Sequence, residues 1–188
     1  MAEPTEKGIK KALVWALPKL PPALIGGPKF EHLYPDILRD MERKLKLECR
    51  IEWDSFGQGY ASFVDAFVYQ DKPEFRLKFV DKDSHHFAGA HILLCRLAPY
   101  YVLGQGSKAW KARGGGGGSL LSFSGVDVFP IQAVEQLTEK VTNFLSTQQL
   151  VRLRKADVAE QLPAELQFDS NLIDEKHRLF DALFFWND

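Results

Sequence analysis

The 188 residues are enough for one domain, and 45% of them are hydrophobic, so the chain can bury a core without metal or disulfide cross-links. Lysine and arginine (24) nearly balance aspartate and glutamate (25), which gives a net charge of −1. This balance argues against a nucleic-acid-binding protein, because such proteins usually carry a strong basic excess. Cys49 and Cys95 lie among apolar residues without a CxxC pair, so we expect two buried, reduced thiols.

The sequence pattern of residues 1–29 predicts a short amphipathic helix followed by a proline-rich connector. Thr5 suits an N-cap, and Ile9 and Leu13 recur at helical spacing before prolines interrupt the chain from residue 18 to residue 28. The apolar stretch at 12–17 is too short for a membrane span, which needs about 20 residues. No small-residue cleavage site of a signal peptide follows it. We therefore expect a cytoplasmic protein that has no membrane partner.

A second helix is predicted over 35–47, and an antiparallel sheet is predicted over about 48–104. Pro35 suits a first helical turn, and apolar residues then recur on one helical face. From residue 48 onward apolar and polar residues alternate, and turn signals at 57–59 and 71–73 separate the runs. The connections are too short for crossovers, so we predict a meander of four or five strands, one of them over 75–79.

The remaining chain predicts a glycine loop, a strong helix and an ambiguous tail. Five consecutive glycines at 114–118 argue against a packed element, and we predict a flexible loop over 113–119, either natural or engineered. Apolar spacing predicts a helix over 130–146 and a weaker one over 150–162, whereas 179–186 suits a helix or a strand. The chain is thus predicted to be one α+β domain over 1–188, with the sheet packed against the helices near 35–47 and 130–146.

Asp83, His85 and His86 form the most site-like cluster in the sequence. Adjacent histidines can ligate a metal or transfer protons, but neighbouring residues of a strand point to opposite faces. The segment is also predicted to be a solvated turn. His91 and His177 are isolated, and we expect ordinary core or surface histidines. No Ser, His and Asp stand in a known catalytic setting such as GxSxG, so we predict no catalytic residue, no metal and no cofactor.

The stretch 157–188 is acidic. Eight acids there oppose two basic residues, which leaves a local balance of −6. Such a surface attracts a basic partner, although ordinary solubilising charge is the other interpretation. Trp110, beside the glycine run, is the best candidate for an exposed aromatic anchor, whereas Trp53 is predicted to be core. The predicted partner-binding residues are Trp110, Asp169, Asp174 and Glu175.

Two segments resemble a known family. They are the apolar strand HILLCRLAPYYVL at 91–103 and the terminal LFDALFFW at 179–186. Together with the order of helix, meander, Gly/Ser-rich loop, helix and aromatic tail, they resemble small immunity proteins of bacterial polymorphic-toxin systems. The resemblance implies a non-catalytic antidote that binds and neutralises a cognate protein toxin in the cytoplasm of the producing cell. Both segments belong to the scaffold, so they supply no binding residues.

Two other classes of function stay open at the level of the sequence. One is a small hydrolase or metal-dependent enzyme that uses Asp83, His85 and His86. The other is a structural subunit of a larger assembly. An immunity gene lies directly beside its toxin gene, so the genomic neighbourhood distinguishes the leading prediction from both.

Overall fold

A mainly antiparallel sheet and the helices on its faces make up the computed structural model, which describes residues 6–23, 30–53, 60–77, 84–111, 116–168 and 176–187. The predicted α+β fold is confirmed. The α-helices are α1 (Glu6–Ala16), α2 (Tyr34–Leu45), α3 (Gln132–Thr147) and α4 (Leu179–Leu183). Within the described residues, none of the helices combines the length and the apolar character that a membrane crossing requires.

Eight strands accompany these helices in the part of the chain that the structure describes. They are β1 (Glu48–Glu52), β2 (Tyr60–Ala61), β3 (Phe63–Tyr69), β4 (Ser84–Cys95), β5 (Tyr100–Lys111), β6 (Gly116–Gly118), β7 (Val151–Arg152) and β8 (Trp186–Asn187). The main sheet has the order β1-β3-β4-β5-β6, and all of these pairs are antiparallel. β7 pairs with β5 in parallel, and β2 pairs with β8 in a separate two-stranded sheet.

The second and third helices begin and end close to their predicted limits because local signals set them. Pro35 stands in the first turn of α2, and Lys46 ends the helix in the left-handed conformation with φ of 50°. α2 buries Tyr34, Ile37, Leu38 and Met41, and α3 buries Val134, Leu137, Thr138, Val141, Phe144 and Leu145. Both apolar stripes belong to the same hydrophobic core.

The two faces of the central strands have different surroundings, because successive side chains alternate between faces. One face carries residues such as Val64, Ala66, Ile92 and Leu94, which share the first core with α2 and α3. On the other face, one half belongs to a second core with α1 and α4. That half contains Phe63, Leu93, Cys95, Tyr100 and Val102. The other half of this face is aromatic and holds the candidate site.

A strand prediction and a turn prediction before the glycine run need correction. The strand predicted over 75–79 does not begin at Phe75, since Pro73–Phe75 is a 3-10 turn; Arg76 forms a bridge to Phe87 of β4, and residues 78 and 79 lie outside the described residues. Proline fixes the backbone angle that starts such a turn. Conversely, β4 begins at Ser84, so His85 and His86 lie in a strand and not in a solvated turn. Pairing with β5 extends the strand, because His85 lies opposite Trp110.

Two predictions after β5 also need correction. Gly116–Gly118 forms β6 against residues 108–110, because pairing with β5 outweighs the poor strand propensity of glycine. The weak helix predicted over 150–162 is absent; the segment instead contains β7 and a 3-10 turn at Lys155–Val158. The ambiguous tail adopts both alternatives in succession, first α4 and then β8.

Candidate functional site: the aromatic end of the sheet

Four aromatic side chains occupy the half of this sheet face that lies outside the second core, where three of them are buried in the first core and Trp110 packs against it. They are Phe67 and Tyr69 of β3, Phe87 of β4 and Trp110 of β5, and we call this region the aromatic end. The Trp110 and Phe87 rings are stacked, with centroids 5.3 Å apart and an interplanar angle of 13°. Tyr69 lies 4.5 Å from Phe87 and 5.2 Å from Trp110, centroid to centroid. The cross-strand rings therefore hold one another in place.

Two exposed arginines lie at the rim of the aromatic end. The Arg50 guanidinium stands 4.9 Å from the centroid of the Trp110 ring, and that of Arg76 stands 5.7 Å from the Phe87 ring. Trp110 is half-buried, with Phe87 stacked on it and Arg50 also against its ring. Burial raises the pKa of the Tyr69 hydroxyl, while a hydrogen bond with Arg50 opposes that rise. The rim thus combines cation–π contacts with an indole that is held in one orientation.

A buried cluster of charged and polar side chains lies beside the aromatic end, on the same face of the sheet. His91 Nδ1 lies 2.7 Å from Asp65 Oδ1, and both side chains are only 1% exposed. Lys108 Nζ lies 3.0 Å from Asp65 Oδ2, which is the distance of an ion pair. Burial by itself raises the pKa of Asp65, but His91 and Lys108 together hold that pKa below its usual value. Asp65 is therefore a buried carboxylate with two partners from two other positions of the sheet.

Glycines beside this cluster make room for its rings. A Cβ atom on Gly106 would lie 2.4 Å from Cδ2 and 2.5 Å from Nε2 of His91. A Cβ atom on Gly89 would lie 2.6 Å from the Phe67 ring. His91 Nε2 makes no hydrogen bond with the described residues, and His91 itself is fully buried. Because no solvent reaches this nitrogen, the Asp65–His91 pair is not placed to exchange protons with a bound substrate.

The structure brings only part of the sequence-predicted cluster together with Trp110. His85 is exposed and lies opposite Trp110, on the same face. His86 follows it in the strand, so the two histidine side chains point to opposite faces and do not converge on one ion. Asp83 and the acidic candidates lie outside the described residues; these acidic candidates are Asp169, Asp174 and Glu175. Trp53, predicted to be core, is partly buried and packs against the first core.

Several acids of the stretch 157–188 have structural roles. Asp157 and Asp181 accept the backbone N–H groups of Arg154 (2.7 Å) and Arg178 (2.6 Å), and Asp181 is almost fully buried. Glu160 forms an ion pair with Lys19. The local balance of −6 therefore overstates the carboxylate charge that this stretch offers to a partner.

Sequence reasoning did not assemble the buried cluster, although one signal was present. Asp65 interrupts an otherwise apolar strand, and His91 interrupts another. Two polar residues in two buried strands each need a partner. What the sequence lacks is the strand register, which places Phe67 opposite His91 and Asp65 opposite Leu93.

Of the two thiols that were predicted to be buried, only that of Cys95 is fully so. Cys95 is buried and Cys49 is half-buried, and both are free. Burial raises the pKa of each thiol to about 12. At neutral pH both are protonated and unreactive.

No protein-family model, curated protein or solved structure matches this chain. Across the described ranges, no three His, Cys, Asp or Glu side chains stand close enough together to hold a metal ion. The candidate site is therefore the aromatic end, where β5 carries a half-buried tryptophan, β1 an exposed arginine and β3 a buried carboxylate.

Proposed function

We propose that this protein is a non-catalytic immunity protein, which binds a cognate bacterial protein toxin in the cytoplasm and neutralises it by occlusion. The observation that carries this proposal is the half-buried Trp110, held by Phe87 and Arg50 at the aromatic end. Tryptophan, tyrosine and arginine are the residues most enriched among the hot spots of protein interfaces. An indole already held in one orientation loses little further conformational freedom when a partner covers it.

The buried cluster supplies the rigidity that such an anchor requires. Lys108 lies two residues before Trp110 in β5, and its ammonium group reaches Asp65 of β3. The ammonium group is also 5.8 Å from the Phe67 ring. A cross-strand ion pair at this position fixes the spacing of the strands that carry the aromatic rings. The partner therefore meets a preformed surface and not one that has to be ordered on binding.

The alternative of a hydrolase or metal-dependent enzyme has no supporting geometry in the described residues. His85 and His86 point to opposite sheet faces, and Asp83 lies outside the described ranges. The deeply buried His91 does not replace them, since its second ring nitrogen is inaccessible. We therefore put forward no second function.

The test uses the product of the neighbouring gene as the toxin and compares two tryptophan variants. Trp110→Ala removes the proposed anchor. Trp15→Ala is the matched control, because Trp15 is also half-buried and also has a cation against its ring, with Lys19 Nζ 4.1 Å from the centroid. Losing a hot-spot anchor costs about 2 kcal/mol or more, so Trp110→Ala should raise Kd about 30-fold while Trp15→Ala leaves it within about threefold.

Circular dichroism should show that both variants are folded, and calorimetry or biolayer interferometry measures the affinity. If the wild-type protein forms no complex with the neighbouring gene product and gives no protection against it, the immunity function is wrong. If the wild-type protein binds the toxin but Trp110→Ala and Trp15→Ala have the same affinity for it, the immunity function stands and the aromatic end is not the binding surface.

A further inference from the structure

Two cationic side chains share one aromatic ring at the margin of the second core. The guanidinium carbon of Arg178 lies 4.3 Å from the centroid of the Phe123 ring, and Lys155 Nζ lies 5.2 Å from the same centroid. The two positive charges are separated by at most the sum of these distances, about 9.5 Å, and they repel each other. Phe123 packs against the second core, where it meets the Phe180 ring edge to face, so the shared ring is held in place.

Backbone carbonyls fix the positions of both cations. Lys155 Nζ donates to the carbonyl of Ser124 (2.6 Å), and one guanidinium nitrogen of Arg178 donates to the carbonyl of Lys176 (2.9 Å). These bonds use one of the three donors of the ammonium group and one of the five donors of the guanidinium. The remaining donors have no acceptor among the described residues, and both side chains are partly exposed. Both groups are therefore oriented and still able to bind an anion.

The nearby carboxylates bind the backbone of these two residues and not their cationic groups. Asp181 Oδ2 accepts the backbone N–H of Arg178 (2.6 Å), and Asp127 Oδ2 accepts that of Lys155 (2.7 Å). The other oxygen of Asp127 accepts a hydrogen bond from the guanidinium of Arg152 (2.6 Å). No carboxylate of the described residues forms an ion pair with the side chain of Lys155 or Arg178. The two positive charges on the Phe123 ring therefore have no counter-ion in the part of the chain that the structure describes.

Two other cations that contact aromatic rings each have a carboxylate of their own. Arg76, which contacts a ring of β4, pairs with Asp71 at 2.7 Å. Lys44, which contacts a ring of α3, lies 3.7 Å from Asp40. Phe123 differs from both rings, because two cations contact it and neither has such a partner among the described residues. An anion bound between two converging cations would relieve their repulsion.

We propose that Lys155 and Arg178 bind a phosphate dianion beside the Phe123 ring, either as free phosphate or as a phosphate monoester. A phosphate group carries a charge of about −1.5 to −2 at pH 7, so it neutralises both cations, whereas a carboxylate neutralises only one. Arginine and lysine are also the side chains that proteins use most to bind phosphate. A nucleic acid fits less well, because each phosphodiester carries one charge and the whole chain has a net charge of −1. The site uses none of the residues of the aromatic end, so it does not depend on the proposed toxin contact.

The experiment is an NMR titration of the full chain with sodium phosphate at constant ionic strength. The backbone amide signals of Lys155 and Arg178 should shift together and saturate with a Kd of about 1–10 mM, as expected for two charge-assisted contacts at a partly exposed site. Sodium acetate, a monoanion, should bind about tenfold more weakly or less. Phenyl phosphate identifies the source of the phosphate. Tighter binding than that of inorganic phosphate indicates a monoester whose organic group contacts Phe123, and equal or weaker binding indicates free phosphate.

Each cation is tested against a matched control. Lys155→Met and Arg178→Gln should each raise the Kd for phosphate about tenfold, because each variant removes one of the two charges. Lys44→Met and Arg76→Gln remove the same charges from cations that also contact a ring but have a carboxylate partner, and they should leave the Kd within about twofold.

Circular dichroism checks that each variant is folded, and Lys155→Met alone decides the test if Arg178→Gln does not fold. The proposal is overturned if the wild-type signals do not saturate with phosphate, if acetate binds as tightly as phosphate, or if the controls raise the Kd as much as Lys155→Met. The titration contains no toxin, so its outcome is independent of the proposed immunity function.

Discussion

Replacing Asp65 with asparagine tests whether the buried cluster stabilises the fold. The change removes one negative charge and keeps the shape of the side chain. The amide oxygen of the asparagine can still accept a hydrogen bond from His91, but the ammonium group of Lys108 loses the carboxylate that lies 3.0 Å away. The perturbation therefore isolates the cost of a buried cation without its counter-ion.

The size of the effect follows from the burial of Lys108. Removing one partner of a buried ion pair costs about 3–5 kcal/mol. The Lys108 side chain keeps 14% of its exposure, and Glu52 Oε1 lies 3.9 Å from its ammonium group. Both features soften the loss, so we expect the lower limit, about 3 kcal/mol of unfolding free energy. For a chain of this length that lowers Tm by about 6–12 °C.

Urea denaturation followed by circular dichroism measures this difference, and its pH dependence tests the cause. The folded pKa of Asp65 lies below the unfolded value of about 3.9. A carboxyl with a lowered folded pKa stabilises the fold fully above the unfolded pKa, and this contribution is lost as the pH falls through the folded pKa. The wild-type protein should therefore lose stability in acid more steeply than Asp65→Asn.

Two further variants complete the test. Asp71→Asn breaks an exposed pair with Arg76 and should cost less than about 1 kcal/mol. Adding Lys108→Met to Asp65→Asn removes the unpaired cation and should restore part of the stability. A cost below about 1 kcal/mol for Asp65→Asn, or a double variant that is no more stable than Asp65→Asn alone, would refute the reasoning.

Three other predictions follow from the same structure. Gly106→Ala should lower the unfolding free energy by about 2 kcal/mol or more, because the added Cβ would overlap the His91 ring. Gly117→Ala should be nearly neutral, because no atom lies within 4 Å of the added Cβ, and denaturant titration compares the two variants. Ellman's reagent at pH 8 should label neither Cys49 nor Cys95 before unfolding and both afterwards, because burial raises each pKa to about 12; rapid labelling of the folded protein would contradict this. Reversing three acids to lysine should slow association with the cognate toxin and flatten its salt dependence, as stopped-flow kinetics would show; unchanged kinetics would exclude an acidic binding face. These acids are Asp169, Asp174 and Glu175.

Local pattern was sufficient for α2, α3 and the start of the sheet. Pro35 and the apolar stripe of α2 define that helix to within a few residues, and α3 follows the same period. β1 shows the expected alternation from residue 48. These features depend on residues that are three or four positions apart in a helix or two positions apart in a strand, so a single sequence predicts them.

Strands that form only by pairing were not predictable in this way. β6 consists of glycine alone, and β7 has only two residues, yet each is held by β5. The start of β4 at Ser84 likewise depends on Lys111, which lies opposite it. The partners of β7 and of the start of β4 are distant in sequence, and β6 has a nearby partner but no strand propensity of its own, so local propensity predicts none of the three.

The sequence by itself determined the fold class, the positions of α1, α2 and α3 and the apolar character of the central strands, because these depend on composition and on short-range periodicity. Only the tertiary structure decided which polar residues meet. Asp65 and His91 are 26 residues apart, and Lys108 comes from a third strand. A shift of one residue in register would send Asp65 to the opposite face of the sheet. The exposed face of α1 is also decided by tertiary packing, because the packing of Ala12 in the second core leaves Val14 facing outward. Contacts between distant segments set register and rotation, and no local pattern encodes them.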